Sequence, residues 1–474
     1  MTRQHIKDLT VGNETRLLLT FALPMLVGNL FQQFYNMVDS IVVGNYVGKN
    51  ALAAVGACSS LVFLVFSMVA GFANGAGVLI AQYFGCGDDE KVKHVIGNAI
   101  YPLFGMSLLV SIGSLLLSRP ILTALGTPEA IFADALLYLR IACGGIVFIG
   151  LYNGIAAMLR ALGDSSTPLI FLIVACVLNI IGDLVFVLVF HLAVAGVALA
   201  TILAQLLAAV SCIVYAVKTN PYFRLTAKDF RPHAPIIKKC LQLGIPFGAQ
   251  GSLIAISCVI LQSVINRFGE DVIAAFTATS RIEQLVQQPF SSLGTALATF
   301  TGQNLGAGKV DRVKKGFRSS TIAAAIFSAL MLALMVLFGN QFVGLFVNDE
   351  AVVAIGGSAI RITALFYFPL GMIYLPRSLL NGAGDSTFAF ISGLVEVIGR
   401  VVFSLILASI PSIGYWAVWY TTGLTWLITC FACMARYAQG KWMRISLVEK
   451  PGDPAPGSGR PRLCKTSIYQ KSLS

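Results

Sequence analysis

The sequence predicts an all-α integral membrane protein, with twelve transmembrane helices in two six-helix bundles that are related by internal duplication. Hydrophobic residues make up 57% of the 474-residue chain and charged residues only 11%, whereas about a quarter of a typical soluble domain is charged. The mean hydropathy is +0.82. Twelve apolar runs reach the roughly 20 residues that a bilayer crossing requires, and motifs of the first half recur in the second half.

The twelve apolar runs give the predicted transmembrane spans. They cover residues 17–43, 53–80, 95–117, 133–159, 167–190, 194–217, 241–266, 273–301, 318–338, 354–380, 387–410 and 413–436. The first sixteen residues lack the apolar core and the small-residue cleavage site of a secretory signal, so we expect the first run to remain in the mature chain. Twelve crossings would put both ends of the chain on the same side of the membrane.

The basic residues indicate which side that is. Of the 33 lysines and arginines, 25 lie at the chain ends or in alternate connections, and only Lys49, Arg119 and Arg267 lie in the opposite loops. Cytoplasmic loops retain positive charge. Both termini are therefore expected to be cytoplasmic, with the protein in the inner (plasma) membrane. The net charge of +12 follows from the same rule, and no nucleic-acid partner is predicted.

A long basic connection near the middle divides the chain into two lobes. The predicted parts are a cytoplasmic N-terminal segment (1–16), an N-terminal lobe (17–217), a basic linker (218–240), a C-terminal lobe (241–436) and a cytoplasmic tail (437–474). The tail is rich in proline, glycine, serine and basic residues, a composition typical of disorder. We therefore expect it to be disordered and dispensable for transport.

The two lobes repeat each other at a constant offset of 221 residues. Gln82 and Gly85 are matched by Gln303 and Gly306, and the LGDSS motif at 162–166 is matched by AGDST at 383–387. Because each copy has six spans, both copies keep the same orientation in the membrane. Transport sites in such folds lie between or within the two bundles.

The first predicted span carries one acid, Asp39. A carboxylate inside the membrane is energetically unfavourable and is functional by default. Helical spacing places three polar residues on the same face, and this face is expected to line a cavity: Gln32, Tyr35 and Asn36. Pro24 removes a backbone donor near the start of the helix, which makes it a candidate hinge. The alternative is that Asp39 only bonds a neighbouring helix.

The sequence contains no pattern typical of an enzyme or a transition-metal site. Most of the ten cysteines lie in apolar runs, where cysteine behaves as a small hydrophobic residue, and the four histidines are scattered. The GAGKV segment at 306–310 lacks the spacing and the hydroxyl residue of a phosphate loop. We predict no catalytic residue, no cofactor and no metal other than a coupling sodium ion. A passive channel would not require buried acids.

Several motifs together resemble the multidrug and toxic compound extrusion (MATE) family. They are the proline and NxxD of the first span, the QxxGxG loops at 82–87 and 303–308, and the GDS loops that follow spans four and ten. The resemblance covers residues 15–445. It implies a secondary antiporter that exports amphiphilic, often cationic, compounds in exchange for sodium ions or protons.

One branch of this family carries its coupling site in the N-terminal lobe, and the spacings of this sequence are similar to those of that branch. The resemblance implies that Asp39, Asn179, Asp183 and Thr201 bind the cation or proton, and that Pro24 is a hinge. Residue positions along the helices place Asp39, Asp183 and Thr201 at a similar depth, so they could converge. Oxygen ligands of this kind suit a hard ion or a proton. A hydrogen-bonded core cluster is the alternative reading.

The C-terminal lobe does not duplicate these acids, because Ile260 and Arg400 occupy the positions 221 residues after Asp39 and Asn179. It carries other polar residues, which are secondary candidates for coupling: Glu283, Gln287, Glu396 and Arg400. Glu396 and Arg400 are four residues apart on one helix, which favours an internal ion pair.

The predicted function is a monomeric, cation-coupled antiporter that exports amphiphilic, possibly cationic, small molecules across the bilayer by alternating access. A flippase for lipid-linked saccharides, from the same superfamily, is the alternative. Such a flippase would be expected to have a more cationic cavity and often more helices, whereas this chain has twelve predicted spans and an acidic first lobe.

Overall fold

The computed structural model describes residues 6–445, 447–448, 454–455 and 458–461. Fourteen α-helices follow one another: α1 Glu14–Val42, α2 Lys49–Cys86, α3 Asp89–Ala124, α4 Glu129–Gly144, α5 Ile146–Ala161, α6 Ser166–Leu184, α7 Ala193–Thr219, α8 Ala234–Ile265, α9 Glu270–Gly306, α10 Val310–Gly344, α11 Glu350–Ala364, α12 Tyr367–Ala383, α13 Ser386–Ala408 and α14 Ala417–Ala438. Short helical turns lie at Val43–Val47, Val185–Val189, Pro221–Phe223, Gly414–Trp416 and Lys441–Arg444, and two short strands pair in the tail, β1 Pro454–Ala455 and β2 Ser458–Pro461.

The helices correspond to the twelve predicted spans. Among the described residues, nine helices are long and apolar enough to cross a membrane. Two bent pairs raise this to eleven: α4 with α5, bent by 41°, and α11 with α12, bent by 50°. The remaining predicted span, 273–301, falls on α9. Its glutamines and Glu283 make it less apolar than the others, and it packs against helices of both lobes, where polar side chains need not face lipid.

The helices form two bundles, α1 to α7 and α8 to α14. The bundles meet where α2 packs against α8 and α9, and where α1 packs against α9. Many large apolar side chains on the outside are exposed, for example Leu116 at 74% and Leu345 at 78%. Such a surface suits contact with lipid chains. The chain is a multi-pass membrane protein.

The two lobes are joined by reciprocal hydrogen bonds at the end of the molecule where residues 6–12 and 447–448 lie, which we call the terminal face. The Gln82 side chain donates to the carbonyl oxygens of Gly382 and Ala383, each at 3.2 Å. Its repeat partner, Gln303, donates to the carbonyl oxygen of Ala161 at 2.8 Å. All of these bonds cross between the lobes, so the structure is closed at this face.

Two glycines allow this close approach. A Cβ atom built on Gly85 would lie 1.9 Å from the carbonyl oxygen of Gln303, and one built on its repeat partner Gly306 would lie 2.0 Å from that of Gln82. Only glycine lets the two backbones come so near each other. The QxxGxG loops therefore supply both the side chains and the space for lobe closure.

A segment from each chain end lies against this closure. Near the N-terminus, the Leu9 amide donates to Oε1 of Gln303 at 2.9 Å. Near the C-terminus, the Leu447 amide donates to Oε1 of Gln82 at 3.1 Å, and Lys239 donates to the Leu447 carbonyl oxygen at 2.6 Å. We call residues 6–12 and 447–448 the two terminal straps.

The first residues of the predicted tail, which the sequence predicts to be disordered from residue 437, have regular structure. Within the described residues, Lys441–Arg444 forms a 3₁₀ turn, and the Trp442 side chain is 1% exposed. Burial of this large aromatic ring provides stabilising apolar contacts. The polar composition of the tail as a whole did not predict them. Residues 446, 449–453, 456–457 and 462–474 of the predicted tail lie outside the described residues.

Candidate ion-binding site

Three helices of the N-terminal lobe bring the four residues of the predicted cation site together. Asp39 lies on α1, Asn179 and Asp183 lie one turn apart on α6, and Thr201 lies on α7. The hydrogen bonds of the Asn179 amide are satisfied when its nitrogen faces α1. The nitrogen then donates to Oδ1 of Asp39 at 2.9 Å, and the amide oxygen accepts from the Thr201 hydroxyl at 3.2 Å. Asn179 thus links all three helices.

The two carboxyl groups of the site face each other. Asp183 is fully buried and lies within hydrogen-bonding reach of Asp39. No other described donor reaches either oxygen of Asp183. Neither acid belongs to any ion pair found among residues 6–445. Two carboxylates so placed repel each other unless a proton or a cation lies between them.

The helices that carry the acids both end in a π-helical turn. Val43–Val47 follows α1 and Val185–Val189 follows α6, so each wide turn begins within four residues of an acid. Such turns are often found at functional sites because they shift the register of side chains along a helix. His191 and Ala193, in the next connection, have positive φ angles of 53° and 48°, which are uncommon for residues other than glycine.

A small cavity of about 10 Å³ lies beside Asn179 and Thr201, and neither Asp39 nor Asp183 is among its lining residues. Its volume is close to that needed by a single water molecule, which is also the scale of an ion. The lining residues come from α1, α6 and α7: Tyr35, Ala175, Cys176, Asn179, Thr201, Ala204 and Gln205. The space beside Asn179 and Thr201 could therefore hold a water molecule or a small ion, while a drug-sized compound would need a larger space.

Two residues next to members of the site were not predicted from the sequence. Gln205 follows Thr201 by one helical turn, lines the cavity, and has a buried side-chain oxygen without a hydrogen-bond partner. Its spacing from Thr201 could have identified it. Tyr138 reaches the neighbourhood of both Asp39 and Asp183 from α4. No spacing signal links α4 to these acids, because the contact depends on how the bundle packs.

The predicted cavity residues of α1 differ in their placement. Tyr35 lines the small cavity, and Gln32 lies near Tyr35 on the same face of α1. Asn36 is exposed, and none of the described contacts connects its side chain to the acids. Pro24 lies inside α1, which remains continuous from Glu14 to Val42.

The secondary candidates form a separate cluster in the C-terminal lobe. Glu396 pairs with Arg400 at 3.5 Å and, more closely, with Arg377 at 3.2 Å. Glu283 is buried and lies near Thr363 and in the field of Arg400. Gln287 accepts a hydrogen bond from Tyr374 at 3.1 Å. Arg377, on α12, was not selected from the sequence, because its partner is nineteen residues away on another helix.

The two polar clusters differ in charge balance. In the C-terminal lobe, Arg377 and Arg400 face Glu396 and Glu283, so each acid has a basic neighbour. In the N-terminal lobe, Asp39 and Asp183 have only each other, an amide and hydroxyls. A buried ion pair is already neutral, whereas an unpaired pair of acids requires an external positive charge. The N-terminal cluster is therefore the better candidate for a cation site.

A duplicated helical fold in the membrane, with a pair of acids inside one bundle, is typical of membrane transporters. The comparisons with known proteins identify its family. The MatE family model matches residues 24–185 and again 246–406, once in each lobe. The chain therefore belongs to the MATE family of transporters.

Related proteins cover almost the whole chain. The probable multidrug resistance protein YpnP of Bacillus subtilis is 31% identical over 443 residues, which are 93% of this chain and 98% of YpnP. The multidrug export protein MepA of Staphylococcus aureus is 24% identical over 380 residues, 79% of this chain and 83% of MepA.

Solved structures have the same fold. A MOP superfamily transporter from Pyrococcus furiosus, described as having a binding pocket of reverse polarity, superposes with a TM-score of 0.87 at 23% identity, over 94% of this chain and 100% of that one. An outward-facing multidrug resistance MATE transporter gives a TM-score of 0.85 at 22% identity, with the same coverage. At these identities the likeness establishes the fold.

Proposed function

We propose that this protein exports amphiphilic organic compounds across the plasma membrane in exchange for sodium ions or protons. One observation carries the coupling assignment, which is the contact between Asp39 and Asp183 without a basic partner among the described residues. Two facing carboxylates inside a membrane favour a bound cation or a shared proton. Relatives with the names multidrug resistance protein and multidrug export protein support export as the direction.

The proposed roles follow from the geometry of the site. Asp39 and Asp183 supply the negative charge that binds the coupling ion. Thr201 offers a neutral hydroxyl oxygen. Asn179 holds Asp39 through its amide nitrogen at 2.9 Å, so the orientation of that carboxylate depends on Asn179. Oxygen donors of these types are suited to sodium or to a proton, and they do not select a soft metal.

The proposed transport cycle alternates between closure at the two faces. The reciprocal bonds of Gln82 and Gln303 hold the terminal face closed in this structure. We assign this face to the cytoplasm because lysine and arginine are concentrated there. Ion binding would change the shape of α1, whose Pro24 lacks a backbone donor. We propose that the transporter works as a monomer.

Efflux measurements in cells that lack their own drug pumps test the coupling site. Asp39→Asn and Asp183→Asn remove one charge each with little change in shape, and each is expected to reduce ethidium efflux to the background level. Asp271→Asn, an exposed acid at the start of α9, is the matched control and should leave efflux unchanged. Full efflux in both site variants, at equal membrane abundance, would refute the coupling assignment.

Vesicles with an imposed gradient identify the ion. A sodium gradient at constant pH and a pH gradient without sodium are applied in separate experiments. The coupling ion should drive uptake or release of the dye in the wild type but not in Asp39→Asn. Transport that responds to neither gradient would contradict cation coupling.

A further inference from the structure

A second cavity, of about 160 Å³, lies between the two lobes, toward the terminal face. Its lining residues include repeat partners from the two lobes, 221 positions apart: Asn74 with Thr295, Ala157 with Ser378, and Arg160 with Asn381. The cavity therefore lies on the pseudo-twofold axis of the fold. We call it the inter-lobe cavity.

The chemistry of the inter-lobe cavity is not symmetric. The N-terminal lobe contributes a guanidinium from Arg160, whereas the C-terminal lobe contributes the neutral amide Asn381 at the matching position. All the other lining residues are uncharged: Asn74, Gly77, Val78, Ala81, Ala157, Ala161, Phe247, Gln250, Thr295, Ala298, Thr299 and Ser378. One positive charge thus faces amides, hydroxyls and apolar groups, and the lining contains no carboxylate.

Arg160 has no protein partner among the described residues. It takes part in none of their ion pairs, and no side-chain hydrogen bond of its guanidinium is found within residues 6–445. Arg160 is half-buried, and a cation withdrawn from water in this way without a counter-charge is unfavourable unless something else supplies one. Opposite it, the side-chain oxygen of Asn381 is also buried without a partner, so this amide can rotate to present its nitrogen to a ligand.

The position of Arg160 in the last turn of α5 does not by itself explain the charge. A basic residue there can satisfy free carbonyl groups at the helix end. The carbonyl oxygens of Met158, Leu159 and Arg160 accept from backbone amides of residues 162–164, and that of Ala161 accepts from Gln303. The helix end is satisfied by other donors, and the guanidinium remains available to the cavity.

We propose that Arg160 binds the anionic head group of an amphiphile, a carboxylate or a phosphate, in the inter-lobe cavity. The planar guanidinium can donate two parallel bonds to such a group. The polar side chains opposite provide further donors, while Phe247 and Val78 supply apolar surface beside it. The volume suits a head group whose apolar part extends further between the lobes.

This inference rests on the proposed transport function and names part of the cargo chemistry. It extends the substrates beyond cationic compounds to those with a negative group, including zwitterions. The acidic site and the inter-lobe cavity are lined by different residues, so the ion and the anionic group occupy separate places. Either site can therefore be impaired without the other.

Binding to the full-length protein in phosphatidylcholine nanodiscs tests the proposal. The probe is the fluorescent anthracene-9-carboxylate, and its methyl ester is the uncharged comparison. Arg160→Gln should weaken binding of the acid about tenfold or more and leave binding of the ester unchanged. Arg160→Lys keeps the positive charge but lacks the planar guanidinium, so its affinity for the acid should lie between those of the wild type and Arg160→Gln. Arg140→Gln, at an exposed arginine of the same lobe, is the matched control.

Two further experiments distinguish a lipid head group from free phosphate as the source of the anion. Nanodiscs that contain phosphatidylglycerol should weaken probe binding if a lipid head group takes the same site, and this competition should disappear in Arg160→Gln. Sodium phosphate should compete only weakly with the probe. Equal affinity of the wild type for the acid and its ester, unchanged binding in Arg160→Gln, or tighter binding of free phosphate than of the probe would each overturn the proposal.

One variant distinguishes failure of this inference from failure of the proposed function. Asp39→Asn should bind anthracene-9-carboxylate with wild-type affinity although its efflux is lost. If Arg160→Gln binds normally while Asp39→Asn still abolishes efflux, the anion site is wrong and cation coupling stands.

Discussion

Replacing Gly85 by alanine tests whether the terminal face closes as the structure shows. The added Cβ would lie 1.9 Å from the carbonyl oxygen of Gln303, and real Cβ contacts essentially never fall below 3.0 Å. The obstacle is backbone inside α9, so it cannot rotate away as a flexible side chain would. The two lobes must therefore separate at this point.

The hydrogen bonds that join the lobes set the size of the effect. Gln82 bonds to Gly382 and Ala383 at 3.2 Å. Moving the two lobes apart until the new Cβ lies 3.0 Å from the Gln303 carbonyl oxygen would take these bonds beyond hydrogen-bonding distance. The bond from Gln303 to Ala161, at 2.8 Å, would be stretched as well. A buried amide that loses its partner destabilises the closed form by about 1–3 kcal/mol. With two such amides, closure should become at least roughly 30-fold less favourable.

Distances between spin labels at Glu90 and Asp311 measure this closure. The two residues are repeat partners and are exposed. Each is the second residue of its helix, α3 and α10 respectively. Gly85→Ala should shift the distance distribution to longer values and reduce efflux, and Gly306→Ala should do the same from the other lobe.

Gly105→Ala is the matched control, since a Cβ built there meets nothing within 4 Å. An unchanged short distance in Gly85→Ala, together with normal efflux, would refute the reasoning.

Two other predictions concern the terminal face. A chain that stops after Ile445 loses the contact of Leu447 with Gln82 and should show a lower melting temperature and less efflux than a chain that stops after Val448; equal behaviour would remove any role for that strap. In the linker, Asp229 is buried, yet hydrogen bonds from Thr226 and the nearby charge of His94 outweigh burial and lower its pKa. Because the folded-state pKa is lowered, this stabilisation is present above about pH 3.9 and is lost as pH falls further. Asp229→Asn should therefore melt lower than the wild type at pH 7, with the gap closing under acid; a gap independent of pH would contradict this.

Features that depend on local sequence could be predicted. The apolar runs predicted the membrane-spanning helices, because a bilayer imposes length and hydropathy on each segment independently. Spacing within α6 placed Asn179 and Asp183 on one face, since residues four apart share a side of a helix. The likeness to a known family then connected them to Asp39 and Thr201. The structure brings these four residues together, and their role in coupling stays a prediction.

Features that depend on packing between distant segments could not be predicted from the sequence. Arg377 lies in an apolar helix, and its role as an ion-pair partner is evident only once the fold places it beside Glu396 on the next helix. The repeated glutamines were visible as a motif, but the carbonyl groups they reach belong to the opposite lobe. The ordered start of the tail was missed because composition averages over many residues, whereas the order depends on burial of the Trp442 ring and on the hydrogen bonds of Leu447 with Gln82 and Lys239.

The reciprocal bonds of Gln82 and Gln303 have a consequence for how such proteins diversify. Both copies of the repeat keep the closing elements, while Asp39 and Arg160 each occur in one copy only. A lineage could thus exchange its cargo or its driving ion by altering unduplicated positions, and the mechanical movement would be inherited intact.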